Sequence, residues 1–291
     1  MPTVKLNGTD IFYEDHGPHS APTIVFSPLL FLDTSIYAPM VAAFSDEYRV
    51  ITYDHRGQGQ SSRLTKRTNL ETTTQDAIDL IEYLRVDPCH FVGNCLGAYV
   101  GLNIAVRRSD ILKSCTVIGA VAEAEPSQSI RDMDQFFDTM KRDGAKMGMQ
   151  GFMNMVFGES FRASRDPAVI QRREKIMARL NSLTSAELEN AKQIFHRQAL
   201  TNQELKNITV PVMIIAGDED QPSNLAAYRR LSEVIPHVTY KTIHHAGYAI
   251  TLEQPQDLIN VIRDFVEKSE REYAARAAQK SKLQKPHVRT R

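Results

Sequence analysis

The chain has 291 residues, of which 42% are hydrophobic and 24% charged. That balance suits one large globular core and excludes a disordered or fibrous chain. Thirty-five Lys and Arg residues offset thirty-five Asp and Glu, so no overall field favours nucleic acid or an anionic membrane. The three cysteines, Cys89, Cys95 and Cys115, are odd in number and stand at no metal-binding spacing, which argues for free thiols over disulfides or zinc.

From the amino terminus, Met1 to Lys5 runs into a polar turn at Asn7-Gly8 without an apolar signal core. Nothing later approaches the ~18 consecutive apolar residues of a membrane helix, so a cytoplasmic location is expected. Val4 to Leu6 and Ile11 to Glu14 read as a hairpin across Asn7-Gly8-Thr9-Asp10. After it come short apolar, β-branched runs: Thr23 to Phe26, Tyr48 to Tyr53, His90 to Val92, Cys115 to Ile118 and Val212 to Ala216. Such runs suit strands buried on both faces.

Helix-period segments alternate with them at Ser35 to Phe44, Leu70 to Leu84, Leu96 to Arg107 and Leu225 to Val234. His237 to Ile243 adds a strand. Pro255 to Lys268 closes the fold with Leu258, Ile259, Ile262, Phe265 and Val266 on one helix face. The alternation implies a mostly parallel sheet covered by helices on both sides, an α/β class.

Between the strands, residues 124–206 lose the strand pattern and become helical and methionine-rich, with Met133, Met140, Met147, Met149, Met153, Met155 and Met177. The organisation expected is a core in two parts, 1–123 and 207–268, an inserted helical cap at 124–206, and a solvated basic tail at 269–291. The cap methionines are read first as core filling, with an adaptable pocket wall as the alternative.

Chemistry concentrates at Gly93-Asn94-Cys95-Leu96-Gly97, which follows a buried strand and opens a helix. This is the Gly-x-nucleophile-x-Gly elbow with cysteine where serine is usual, its glycines required by close backbone approach. A helix N-terminus there favours thiolate and oxyanion, and Leu96 N–H is one oxyanion donor.

At these residues the chain resembles the α/β-hydrolase superfamily, and the similarity runs from Val4 to about Val266. Asp54-His55-Arg56-Gly57-Gln58-Gly59-Gln60-Ser61 is similar to its D-x-R-G-x-G-x-S segment, and Leu252-Glu253-Gln254-Pro255 to its L-E-Q-P helix start. The pattern is that of small lactonases and esterases of the enol-lactone hydrolase type. The resemblance implies an oxyanion loop at Phe26-Ser27-Pro28-Leu29, with Leu29 N–H as second donor; the usual His-Gly is missing there. It also implies Asp220, three residues past Gly217, as the acid, with Asp218 and Glu219 as alternatives if the register slips. The family histidine lies four residues before the Leu of L-E-Q-P, and here that position is Tyr248. His245 stands three residues upstream, with His244 beside it, as the candidate replacement base.

A phenol stays protonated at neutral pH and is a poor base, while a thiol needs a base less than a hydroxyl does. Three functions therefore stay open. The first is a cysteine-dependent hydrolase or acyltransferase for a small ester, lactone or thioester, using Cys95, Asp220 and Tyr248 or His245. The second is a lyase, isomerase or cyclase in which Cys95 and Tyr248 act as acid, base or hydrogen-bond donor. The third is a non-catalytic binding descendant. His196 in the cap, with Pro28, Leu29 and Leu96, is a candidate for ligand contact; His55 is expected at the surface, with a pocket role as alternative. Cofactor and metal motifs are absent, the partner expected is a small acyl or carbonyl compound, and a homo-oligomer is left open.

Overall fold

The computed structural model describes residues 2–63, 68–86, 88–143 and 145–283, the last four of these and 143 and 145–150 by backbone alone. Eight strands form one sheet: β1 (Thr3–Leu6), β2 (Thr9–His16), β3 (Thr23–Ser27), β4 (Arg49–Tyr53), β5 (Cys89–Asn94), β6 (Leu112–Ile118), β7 (Val212–Gly217) and β8 (Val238–Ile243), in the order β1-β2-β4-β3-β5-β6-β7-β8. Pairings β1–β2 and β2–β4 are antiparallel and the remainder parallel. The runs expected as doubly covered strands are just that: β3, β4, β5 and β7 are buried along their whole length.

Helices α1 (Ala38–Phe44), α2 (Leu70–Leu84) and α3 (Leu96–Arg107) belong to the first half of the core. The cap holds α4 (Ser127–Asp143), α5 (Ala145–Val156), α6 (Glu159–Ala163), α7 (Pro167–Asn181), α8 (Ser185–Phe195) and α9 (Asn202–Lys206). Helices α10 (Pro222–Val234), α11 (Ile250–Glu253) and α12 (Pro255–Leu283) complete the second half. Local sequence explains several ends. Asn69 caps α2 through Thr72 N–H, and a Thr184–Glu187 capping box opens α8. Leu258, Ile259, Ile262, Phe265 and Val266 of α12 are all buried, in the apolar cluster that also takes in Phe26 and Phe44.

One expectation is corrected. The closing helix does not stop at Lys268: α12 continues to Leu283, so residues 269–283 of the segment read as a solvated tail are helical. Its anchor is non-local, because Glu270 accepts from His90 Nε2 at 2.8 Å and from Lys113 Nζ at 2.5 Å, and Ser269 is buried. The stretch 284–291 lies outside the described residues. The cap methionines divide between the two roles considered: Met140 and Met153 are buried core residues, whereas Met133 and Met155 line a cavity. The side chains of Met147 and Met149 lie outside the described residues.

Because β3, β5 and β7 run parallel, Ser27, Asn94 and Gly217 end on one edge of the sheet, with Ser27 paired to Gly93. Chain leaving those strands therefore converges under the cap, where ligands bind in sheets of this kind.

Candidate active site

Cys95 sits between β5 and α3 with φ 53° and ψ −113°, a conformation that costs energy for any side chain and points the thiol away from the sheet. Close packing holds it there. A Cβ on Gly97 would overlap the Ser27 carbonyl oxygen, and one on Gly93 would overlap that of Gly97. Cys95 N–H donates to Ile118 O at 2.8 Å, which ties the elbow to the neighbouring strand.

The sulfur lies on the wall of a cavity of about 580 Å³ between sheet edge and cap, lined by apolar cap side chains such as Phe137 and Phe152. The Tyr248 hydroxyl and the backbone N–H groups of Leu30 and Leu96 lie beside it, and each favours the thiolate over the thiol. Leu96 N–H is therefore beside the sulfur, and the N–H of the loop after β3 that accompanies it is that of Leu30, where the sequence pointed to Leu29. The shift arises in the loop after β3, where Phe31 adopts φ 71°, a left-handed conformation rare for a bulky residue. Gln58 holds that turn: its Oε1 accepts from Phe31 N–H at 2.8 Å, and its Nε2 donates to Leu32 O at 3.1 Å and Leu29 O at 3.3 Å. Leu29 lines the cavity by its side chain. Pro28 instead turns its carbonyl away, toward Gly97 N–H and His55 Nε2.

His55 is not at the surface. It is 1% exposed beneath this loop, its Nε2 within 3.2 Å of Pro28 O and 3.3 Å of Ser27 Oγ. Burial lowers its pKa to about 4, so the ring is neutral and supports the loop from below.

Asp220 is buried at the turn after β7, behind the cavity wall, and its partners are not those of a triad. It accepts from Tyr228 O–H at 2.9 Å, Asn224 Nδ2 at 2.9 Å and Gln221 N–H at 2.6 Å. Burial raises its pKa against those donors. The alternatives Asp218 and Glu219 face elsewhere: Asp218 takes His244 Nδ1 and His245 N–H, and Glu219 takes Ser160 N–H of the cap. His245 is 73% exposed at its side chain, 3.3 Å from Ser160 Oγ, and forms no part of the cavity wall. His196 also faces out, 46% exposed and paired with Asp134.

Tyr248 is held by the cap as much as by its own loop. Its N–H donates to Val156 O at 3.1 Å, and Glu253 clamps the loop by accepting from Gly247, Ala249 and the cap's Gly158 N–H groups at 2.8–3.1 Å. Burial, then the adjacent Cys95, raises the Tyr248 phenol well above its usual pKa. Burial likewise raises the Cys95 thiol, and the Tyr248 hydroxyl, the Leu30 and Leu96 N–H groups and nearby Arg197 only partly offset it. The thiolate expected from the helix N-terminus is therefore not the resting form: desolvation outweighs the dipole.

Three further residues on or behind the wall escaped the sequence reading. Tyr99 lies one helical turn after Cys95, a position the i, i+4 rule marks as the same face. Arg197 is the neighbour of His196 but turns inward, stacking 3.9 Å from the Tyr99 ring centre. Tyr228 lies in α10 eight residues after Asp220, and only the tertiary contact reveals it. No group of three or more His, Cys, Asp or Glu able to hold a metal occurs among the described residues.

A family model described as alpha/beta hydrolase fold matches residues 22–255. The chain belongs to the α/β-hydrolase fold family. Among curated relatives it is 26% identical over 261 residues to 3-oxoadipate enol-lactonase 1 of Acinetobacter baylyi, covering 89% of this chain and 94% of that one. It is 24% identical to a putative carbamate hydrolase, RutD, of Agrobacterium fabrum, covering 85% and 94%. Of solved structures, an esterase from Thermogutta terrifontis superposes with TM-score 0.81 at 20% identity over 92% of this chain and 97% of that one. An enol-lactonase from Burkholderia xenovorans gives 0.78 at 23%, over 91% and 100%. These structures speak to the fold, which is the α/β-hydrolase fold with its helical cap. No helix among the described residues is long and apolar enough to cross a membrane.

Proposed function

We propose that this protein is an acyl-transfer enzyme acting on a small ester, lactone or thioester, with Cys95 as the atom that takes the acyl group. One observation carries the reading: Cys95 stands on a strained elbow at the N-terminus of α3, on the wall of an apolar cavity, with the backbone N–H groups of Leu30 and Leu96 beside its sulfur. Such a pair is what a carbonyl oxygen needs as it gains charge, and removing one donor of this kind costs about 3–4 kcal/mol in other enzymes. The names of the relatives, an enol-lactonase and a carbamate hydrolase, agree with a small acyl compound as substrate.

In this mechanism the substrate carbonyl displaces the sulfur from the two N–H groups and Sγ attacks the carbonyl carbon. The thiol proton passes to the Tyr248 oxygen while Tyr248 gives its own proton to the leaving oxygen or sulfur. The S–C bond forms, the bond to the leaving group breaks, and the phenol ends as it began. Tyr248 stands where the family has its histidine and here serves as relay, not base. Transfer to water repeats the relay in reverse and is slow without a base; a thiol acceptor is faster because it brings its own nucleophilicity.

The test is intact-mass spectrometry after mixing with p-nitrophenyl acetate. The expected result is one equivalent of nitrophenol released as a burst and one acetyl group on Cys95, both absent in Cys95→Ala. Neither a nitrophenol burst nor an adduct would favour the second reading, a lyase or isomerase in which Cys95 and Tyr248 only donate hydrogen bonds. The capture of Asp220 by Tyr228, which leaves the site without a base, is what supports that alternative.

The Gln58 clamp supplies a further check. Gln58→Leu strands Phe31 N–H and two loop carbonyls, so stability in urea should fall by about 1–3 kcal/mol. Acetylation of Cys95 should slow as Leu30 N–H drifts from the sulfur, while the saturating ester concentration changes little. An unchanged acetylation rate in the folded variant would remove Leu30 from the mechanism.

A further inference from the structure

Arg197 stands out among the charged side chains of the cavity. Its side chain is 3% exposed, lines the cavity, and acts electrostatically on both Cys95 and Tyr248. All of its hydrogen bonds leave from Nη2: to Tyr99 Oη at 2.8 Å, to Glu125 Oε1 at 2.8 Å and to Glu123 O at 3.4 Å. The Nε and Nη1 donors have no hydrogen-bond partner among the described residues. Neither is among the enclosed polar atoms that lack a partner, so these two donors open onto the accessible space of the cavity that Arg197 lines.

We infer that Arg197 is a carboxylate-binding subsite, and that the acyl compound taken by Cys95 carries a carboxylate at its far end. The substrate class rests on the acyl-transfer reading above; the subsite itself does not. Three features point to an anion and not to a neutral polar group. The guanidinium keeps its full charge at any working pH and matches carboxylate oxygens in shape. Its Cζ sits over the Tyr99 ring, 3.9 Å from the centroid, and its Nη2 is held by Tyr99 Oη and Glu125, so it is already positioned for a ligand. Glu125, its present counter-ion, uses one oxygen and is 25% exposed, which places the carboxylate on the solvent side and makes it displaceable.

The spacing limits chain length. Tyr99 N–H donates to Cys95 O at 3.0 Å, so residues 95 and 99 share one face of α3, about 6 Å apart along the axis. With Arg197 over the Tyr99 ring, that spacing sets a five-carbon diacid, glutarate, as the probe for a carboxylate held at Arg197 with its other end toward the sulfur.

Calorimetric titration of the full-length protein with glutarate, against uncharged glutaramide, tests the subsite without any chemistry at Cys95. Glutarate should bind at least about tenfold more tightly than glutaramide, in keeping with a charge-assisted pair. That discrimination should vanish in Arg197→Met. Should the Met variant fail to fold, Glu125→Gln is the independent arm: it removes the competing carboxylate and should tighten glutarate binding severalfold. Equal binding of the two ligands by the wild type, or no gain in Glu125→Gln, would overturn the subsite. The two proposals separate when mono-p-nitrophenyl glutarate and p-nitrophenyl pentanoate are compared for acylation of Cys95. Acylation by both at equal rate sinks the carboxylate subsite and leaves the acyl-transfer reading; glutarate binding with no acylation by either sinks that reading and leaves the subsite.

Discussion

Replacing Tyr248 by His should create a hydrolase. The wild-type site holds a thiol and a phenol that are both raised by burial, and among the described residues no histidine lines the cavity. A positioned general base contributes typically about 10²- to 10⁴-fold, so Tyr248→His is expected to accelerate steady-state hydrolysis of p-nitrophenyl acetate by about 10²-fold. The imidazole, unlike the phenol, accepts the thiol proton and later activates water near neutral pH. Asp220 is the limit on this gain, because one of its oxygens is taken by Tyr228 O–H at 2.9 Å. Tyr228→Phe should free that oxygen to orient the new ring, so the double variant should exceed Tyr248→His alone, while Tyr228→Phe by itself should do little. A wild type that already hydrolyses the ester as fast as the variant, and loses that activity in His245→Ala, would show that the loop moves enough for His245 to act. Its present position, exposed and turned toward Ser160, makes that outcome unexpected.

What the sequence revealed and what it hid follow one physical line. The strands of the sheet are legible because each is a short run of β-branched residues covered on both faces, a property of the run itself. The elbow is legible for the same reason: Gly93 and Gly97 are demanded by contacts within a few residues of Cys95 and at the adjoining strand. Tyr248 is found by counting along four residues of one loop. The failures are those that depend on distant partners. His55 looks like a loop histidine until β3 and its following loop close over it. The helix beyond Lys268 has an ordinary charged sequence, and only Glu270 meeting His90 and Lys113, far back in the chain, shows what fastens it. Leu30 N–H, and not Leu29 N–H, comes beside the sulfur in a loop where Phe31 takes a left-handed turn that Gln58 stabilises from another loop. Arg197 beside His196 is the sharpest case: neighbours in sequence, they face opposite ways, and only the packing of the cap decides which one meets the cavity.

Alkylation of the native protein should single out Cys95 and do so with a steep pH dependence. Cys95 lines the cavity, whereas Cys89 and Cys115 are fully buried in β5 and β6 and burial pushes the Cys115 thiol up to about 12. Iodoacetamide reacts with thiolate, and the Cys95 thiol is raised above its usual pKa, so its labelling rate should climb by about tenfold per pH unit from 7 to 9 without a plateau. The same argument gives the direction for each neighbour. Tyr248→Phe removes a hydrogen bond that favours the thiolate and should slow labelling at every pH in that range. Arg197→Met removes a nearby positive charge and should act the same way, more weakly. Tyr248→His should reverse the trend, since an imidazolium beside the sulfur stabilises the thiolate and would bring a plateau toward neutral pH. A wild-type plateau below pH 7 would mean that the helix N-terminus and the two N–H groups outweigh desolvation. In that event Cys95 would be a standing nucleophile, and Tyr248 would no longer be needed to carry its proton.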